Sequence, residues 1–154
     1  MEGEGGDTPR LAVLVQDQPS ARKYFIDVWS KHPAGNALQP IENLILKVIL
    51  AHPEYHALLR DREQALSRRY TPEGGETNPF LHMAMHVAIE EQLLADRPAG
   101  IARIYTDLRR RYPKYHDAQH EMMDCLAEAL WQAQRTHALP DERRYLECLR
   151  NRQR

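Results

Sequence analysis

Two stretches of this chain each place two histidines four residues apart. The first pair is His82 and His86, set among mainly apolar residues, and the second pair is His116 and His120. At about 3.6 residues per turn, positions i and i+4 lie on the same face of a helix. Each pair therefore predicts a helix that aims two imidazole rings in one direction, and two such helices side by side would bring four rings together.

The residues that flank these stretches predict where the two helices begin and end. Asn78 suits the N-cap and Pro79 suits the first helical position, so the first helix is predicted over 79–95. Tyr112-Pro113 interrupts the helical pattern, because a residue before proline is biased away from helical geometry, and Leu139-Pro140 interrupts it again. The second helix is therefore predicted over 113–136.

Helical spacing recurs along the rest of the chain, and no useful length alternates with a period of two. We predict an all-α fold, a helical bundle of about five to six helices in which the two His-bearing helices are long and central. The chain has 154 residues, enough to bury one hydrophobic core. Residues 20–151 are therefore expected to form a single helical domain, and residues 1–19, rich in Gly, Glu and Asp, a flexible N-terminal tail.

Composition limits the setting in which the chain works. There is no apolar run of about 18 residues, which predicts no membrane span. The acidic N-terminus lacks the layout of a secretory signal, so a cytoplasmic location is expected. Two cysteines, Cys125 and Cys148, do not make a disulfide framework and are predicted to be reduced. The net charge of −1 makes a protein-wide nucleic-acid surface unlikely.

Four imidazoles in one layer indicate a transition metal, because a neutral histidine donates a lone pair to zinc, iron, copper or nickel. The predicted ligands are His82, His86, His116 and His120, and zinc or iron is the expected ion. His56 is predicted as a fifth ligand rather than His52, because it follows the break at Pro53 and lies beside Leu58 and Leu59. Metal nuclearity, catalysis, substrate and oligomeric state are left open.

Two zinc-peptidase patterns do not fit. The first helix has Met83 where the His-Glu-x-x-His motif requires the catalytic glutamate, and the second has Gln119 where the inverted motif requires it. Three carboxylates lie near the histidines: Glu90, Glu91 and Asp124. Glu90 and Asp124 could bind the ion, could accept the second N–H of a ligating ring, or could equally face solvent, and Glu91 is a further candidate for that second layer. The nearby methionines could be thioether ligands, although filling the core is their commoner role.

The main alternative is a non-catalytic interaction module in which the histidines are structural. Buried imidazoles can hydrogen-bond to one another, to tyrosine or to water. A basic surface at 97–115, with five arginines and Lys114 against Asp107 alone, would then meet an acidic partner or RNA. Elemental analysis of the purified protein distinguishes the two hypotheses.

Several segments together also carry a resemblance. The pairs His82/His86 and His116/His120, each followed four residues later by an acid, are similar at motif level to the ligand pairs of hemerythrin-like helical-bundle metalloproteins. From about Tyr24 to Leu149 the chain resembles an uncharacterised bacterial family of small helical proteins, in the segments His52-Pro-Glu-Tyr-His56, Asn78-Pro-Phe-Leu-His-Met-x-x-His86, Glu91-Gln92, Met122-Met-x-Cys-Leu126 and Leu130-Trp-x-Ala-Gln-Arg135. This resemblance implies a bacterial origin and a cytoplasmic setting, and no reaction.

Overall fold

The computed structural model describes residues 19–35, 37–70 and 77–153. These residues form eight α-helices and two short 3₁₀ turns, without a strand among them, which confirms the all-α prediction. The predicted tail over 1–19 lies outside the described residues except for Pro19, which begins the first helix. No helix of the described part of the chain is long and apolar enough to cross a membrane.

The chain forms two compact units, residues 1–87 and 88–154. The boundary falls inside one helix, α5, which runs over Pro79–Ala95 as predicted. The prediction of a single domain over 20–151 stays a prediction. The helices of the first unit, with its two 3₁₀ turns, are α1 (Pro19–Lys31), the turn His32–Ala34, α2 (Pro40–Leu50), the turn Pro53–Tyr55, α3 (His56–Arg60), α4 (Arg62–Ser67) and the first part of α5.

The core of the first unit lies where α1 packs against α2, α3 and α4. Phe25 of α1 and Ile45 and Ile49 of α2 are fully buried, and the ring of Phe25 meets that of Phe80 edge-on at 6.1 Å between centroids. Aromatic pairs favour this edge-on geometry because the positive ring edge meets the negative ring face. The contact between Phe25 and Phe80 joins the start of α5 to α1.

A buried arginine stabilises the end of α4, a short helix of mostly polar residues. Arg22 is 6% exposed, and its Nη1 donates to the carbonyl oxygens of Ala65 at 2.9 Å and Arg68 at 2.7 Å. Its guanidinium also lies 5.0 Å from the ring centroid of Phe80. The last carbonyls of a helix lack partners within it, so the charged donor stabilises the C-terminal end of α4.

Helix α5 is apolar on most sides because most of its sides are buried. Asn78 accepts hydrogen bonds at Oδ1 from the amides of Phe80 and Leu81, at 3.0 and 3.2 Å, and so caps the helix as predicted. Residues from successive turns are fully buried: Met83, Ala84, Val87 and Ile89. A helix that is apolar all round is expected to be buried on most sides rather than along one stripe.

The second unit contains the end of α5 together with α6 (Ile101–Arg111), α7 (Tyr115–Thr136) and α8 (Glu142–Arg152). α8 packs against α7, and both pack against α6. The buried apolar residues of these helices include Ile101, Leu108, Met122 and Leu149. Helix α7 begins two residues after the predicted start at Pro113 and ends at Thr136 as predicted.

A disulfide links α7 to α8 through Cys125 and Cys148. The prediction that both cysteines are reduced is therefore wrong. The spacing of two cysteines along the chain does not decide whether they are reduced or bonded. A bridge can form only where folding brings the two Cα atoms within about 7 Å of each other. Here the packing of α8 on α7 brings them to 5.8 Å.

Candidate metal centre

The site begins at the end of α2, where Pro53 stops the helix. Proline fixes its own φ angle and lacks an amide hydrogen, so the chain turns and the carbonyl of Ile49 loses the donor that a continued helix would supply. His52 Nδ1 lies 2.7 Å from the carbonyl oxygen of Val48, and His56 Nε2 lies 2.8 Å from that of Ile49. Both histidines of the His-Pro-x-x-His segment thus bind the helix end, each through a different ring nitrogen.

These two contacts determine which nitrogen of each neutral ring can bind a metal. A carbonyl only accepts, so His52 carries its proton on Nδ1 and its lone pair on Nε2. A metal-bound histidine commonly donates its other N–H to a backbone carbonyl, which orients the ring. His56 has the opposite tautomer, and its ring packs on Trp29 at 4.2 Å between centroids.

His82 and His86 come from successive turns of α5 and meet the ring of His52. The three ring centroids form a nearly equilateral triangle: 5.2 Å for His52–His82, 4.9 Å for His52–His86 and 4.9 Å for His82–His86. His52 is 1% exposed, His86 is 2% exposed and His82 is half-buried. The structure therefore brings His52 beside His82, which corrects the prediction that His56 and not His52 points that way.

The three rings are close enough to share an ion after a small adjustment. Each offers one nitrogen within 4.8 Å of the others. A point equidistant from three atoms with that separation lies within about 2.8 Å of each, whereas a zinc–imidazole bond is about 2.0–2.1 Å. Shifts of less than about 1 Å per ring would close the difference, which is within reach of small side-chain rotations.

Tyr55 lies against the same group. Its ring stacks almost parallel on that of His52 at 5.5 Å between centroids, and lies 6.4 Å from that of His82. Burial raises the pKa of the Tyr55 hydroxyl above its ordinary value near 10, and the carboxylate of Glu54 adds to the effect. Tyr55 is therefore a neutral hydroxyl at physiological pH, suited to hydrogen bonding rather than to binding a metal as a phenolate.

The second histidine pair lies at the start of α7, in the second unit. The rings of His116 and His120 stack at 4.2 Å between centroids, as expected for positions one turn apart. His116 is half-buried and His120 is exposed. His116 is the more shielded of the two, and the ligand roles of both stay predictions.

The three predicted carboxylates have different surroundings. Glu90 is 7% exposed and accepts a hydrogen bond at Oε2 from Gln119 Nε2 at 2.6 Å. Asp124 is exposed and lies 3.5 Å from the guanidinium of Arg152. Glu91 is half-buried. Asp124 thus serves an ion pair between α7 and α8, whereas Glu90 has the burial expected of a residue near a site.

Part of the basic surface at 97–115 forms ion pairs and hydrogen bonds with other residues of the second unit. Asp107 lies 3.8 Å from Arg103 and 3.7 Å from Arg110. Arg109 donates to the carbonyl of Pro113 at 2.7 Å and so binds the segment that precedes α7. Exposed ion pairs of this kind contribute little stability, but they lower the charge that an acidic partner would meet. Binding of such a partner stays a prediction.

Sequence reasoning missed His52 as a member of the site. The available signal was its position: it directly precedes Pro53 and follows the last turn of α2. A histidine at a helix C-terminus can satisfy the final carbonyls and interact favourably with the helix dipole. His56 makes an equivalent contact with the carbonyl of Ile49, so this signal made both histidines candidates, and only the tertiary structure shows that His52 lies beside His82.

A family model matches the chain over most of its length. A family model described as Domain of unknown function (DUF1841) matches residues 17–151. Searches of the curated proteins and of the solved structures found no match to the chain. The family match agrees with the resemblance to a family of small helical proteins without an assigned activity, while the bacterial origin and the likeness to hemerythrin stay predictions.

Proposed function

The chain belongs to the DUF1841 family, and because that description names no activity, we propose a function from the histidine group alone. The function is binding of one transition metal ion, zinc or iron, by His52, His82 and His86, which all lie within the first unit. The ligand roles predicted from the sequence for His116 and His120 on α7 stay predictions.

The observation that carries the proposal is the triangle of His52, His82 and His86. His52 donates its N–H to the carbonyl of Val48, so its Nε2 presents a lone pair. The rings of His82 and His86 lie 5.2 and 4.9 Å from that of His52 between centroids. A metal ion takes a lone pair from each of three neutral imidazoles at once, which suits rings held this close together.

The ligand set also limits the chemistry. Three or four imidazoles suit zinc and iron better than magnesium or calcium, which prefer oxygen ligands. With three protein ligands and an open position, the ion would act as a Lewis acid on a bound water or substrate. With a fourth protein ligand, the site would be closed and the ion would stabilise the fold.

The test is elemental analysis of the purified protein together with histidine variants. We expect about one zinc or iron per chain, and Co²⁺ added to the metal-depleted protein should give the strong visible absorption of a four-coordinate site. His52→Ala, His82→Ala and His86→Ala should each lower the metal content at least tenfold while leaving the helical circular dichroism unchanged.

Two matched controls come from the same segments. His56→Ala removes the other histidine at the end of α2, and His120→Ala removes the exposed histidine of α7. Both variants should keep the wild-type metal content. If the wild-type protein neither co-purifies with metal nor binds added Zn²⁺, Fe²⁺ or Co²⁺, the histidines are structural and the proposal is wrong.

A further inference from the structure

The second unit contains a cleft that the metal site does not use. It lies between α7 and α8, has a volume of about 650 Å³, and includes both Cys125 and Cys148 in its lining. The disulfide therefore borders space that a small molecule can enter. Most structural disulfides are inert because their sulfurs are packed away from solvent, so a bridge in the wall of a cleft is open to thiol chemistry.

The two half-cystines differ in exposure. Cys125 is 1% exposed, whereas Cys148, on the α8 side, is partly exposed. In thiol–disulfide exchange the attacking thiolate must reach one sulfur directly, and the other sulfur leaves. Access therefore selects Cys148 as the sulfur that is attacked and Cys125 as the leaving group.

The charge of the cleft selects among thiols. Its lining contains three carboxylates, Glu128, Asp141 and Glu147, and one cation, Arg144. Part of this charge is engaged locally: Glu147 lies 3.6 Å from Arg143, and Glu128 accepts a hydrogen bond from Gln132. The lining side chains carry a net charge of −2, or −1 when Arg143 beside Glu147 is counted, so they disfavour an anionic thiol and favour one with a positive group.

From these observations we propose that the Cys125–Cys148 disulfide is a thiol-exchange site, at which a small cationic aminothiol attacks Cys148 through the α7–α8 cleft. The thiolate sulfur bonds to Sγ of Cys148, the Cys125–Cys148 bond breaks, and Cys125 leaves as a thiolate that takes up a proton. The thiolate of a second aminothiol then attacks the aminothiol sulfur of the mixed disulfide, the bond to Cys148 breaks, and Cys148 leaves as a thiolate that takes up a proton. The products are one molecule of oxidised aminothiol and two protein thiols, so two thiols are oxidised as one disulfide is reduced.

The consequence is a change in how α8 is held. Besides the disulfide, α8 is joined to its own unit by the buried residues Tyr145 and Leu149 and by the ion pairs of Arg152 with Glu121 and Asp124. Reduction removes the covalent link and leaves these contacts. We expect the amides of α8 to exchange hydrogen faster after reduction, with those of α6 unchanged.

The kinetic test uses the full chain without denaturant. The protein is mixed with cysteamine or with 3-mercaptopropionate, alkylated at intervals, and analysed by mass spectrometry. Reduction should be first-order in thiol, and cysteamine should react about threefold to tenfold faster after correction for the thiolate fraction of each. Glu128→Gln should reduce that preference, and the matched change Glu142→Gln, outside the cleft lining, should not.

A trapping test assigns the attacked sulfur. Cys125→Ser leaves the Cys148 thiol, which should form a mixed disulfide with cystamine, while Cys148→Ser leaves the buried Cys125 thiol, which should react at least tenfold more slowly. Equal rates for the two variants would overturn the proposal. So would a wild-type reduction rate that does not depend on thiol concentration, because opening of the fold would then limit the reaction; this measurement decides even if a variant fails to fold.

Discussion

At the scale of single residues, Tyr145 makes a pH-dependent contribution that can be measured. The residue is 4% exposed, and its hydroxyl donates to Gln92 Oε1 at 2.8 Å. Burial raises the pKa of this hydroxyl well above its ordinary value near 10. Above pH 10 the unfolded chain loses this proton while the folded chain keeps it, so the free energy of unfolding falls as pH rises, by about 1.4 kcal/mol per pH unit.

Tyr145→Phe isolates this effect, because phenylalanine fills the same space without the hydroxyl. At pH 8 the variant should be less stable than the wild type by about 1 kcal/mol, the contribution of one hydrogen bond. Between pH 10 and 11 the difference should shrink and then reverse, since only the wild type has this proton to lose. Urea unfolding at each pH measures it. A difference that stays constant up to pH 11 would contradict the burial argument.

The two histidines of the His52-Pro53-Glu54-Tyr55-His56 segment differ in which ring nitrogen carries the proton. Two residues of one type, four apart, receive opposite tautomers because each binds a different carbonyl through a different nitrogen. Residue type and spacing indicate what a side chain can do. The hydrogen-bond partner of the ring decides which of its atoms does it.

At the scale of elements, the start of α6 depends on a side chain from the preceding turn. Asp96 has a positive φ of 50°, and its Oδ1 accepts hydrogen bonds from the amides of Gly100 at 3.2 Å and Ala102 at 3.0 Å. These amides belong to the first turn of α6, where no intrahelical acceptor is available. The carboxylate also interacts favourably with the positive end of the helix dipole.

Asp96→Ala should lower the free energy of unfolding by about 1–2 kcal/mol, because it removes both hydrogen bonds and places alanine in a left-handed conformation. Asp96→Asn is the matched control, since asparagine keeps an acceptor oxygen and tolerates positive φ; it should cost about 0.5 kcal/mol or less. Urea unfolding of the three proteins gives the comparison. An asparagine variant as unstable as the alanine variant would show that charge, and not the hydrogen bonds, dominates.

At the scale of the whole molecule, a bound metal would appear as added stability. An ion that binds only the folded chain stabilises it by mass action, by about 2.7 kcal/mol at a hundredfold excess over its dissociation constant. We expect chelation at pH 7.5 to lower the melting temperature by about 5–10 °C. His52→Ala should already melt at the lower temperature and should not respond to the chelator, whereas His137→Ala should respond like the wild type.

The result also separates the two functional hypotheses. A wild-type melting curve that chelation leaves unchanged, with no metal in the purified protein, would favour structural histidines and direct attention to the 97–115 surface. The cytoplasmic location stays a prediction. The disulfide between α7 and α8 stands against it, because stable disulfides are rare in that compartment.

The sequence by itself determined the features that depend on local rules. Helical spacing and the N-cap at Asn78 predicted α5 over its observed range, and the breaks at Tyr112-Pro113 and Leu139-Pro140 predicted α7 to within two residues of its start. At 3.6 residues per turn, the two histidines of each His-x3-His pair are also predicted to share one face of their helix. These predictions succeeded because each depends on residues within one or two turns of each other.

Only the tertiary structure decided which side chains meet. It brought His52 rather than His56 beside His82, because the path of the chain at Pro53 determines where each ring points. It formed α4 within a stretch that reads as polar, because Arg22, more than forty positions away, satisfies the carbonyls at its end. It joined two cysteines predicted to be reduced. Each outcome depends on distances between segments far apart in sequence, and residue spacing along the chain carries no information about those distances.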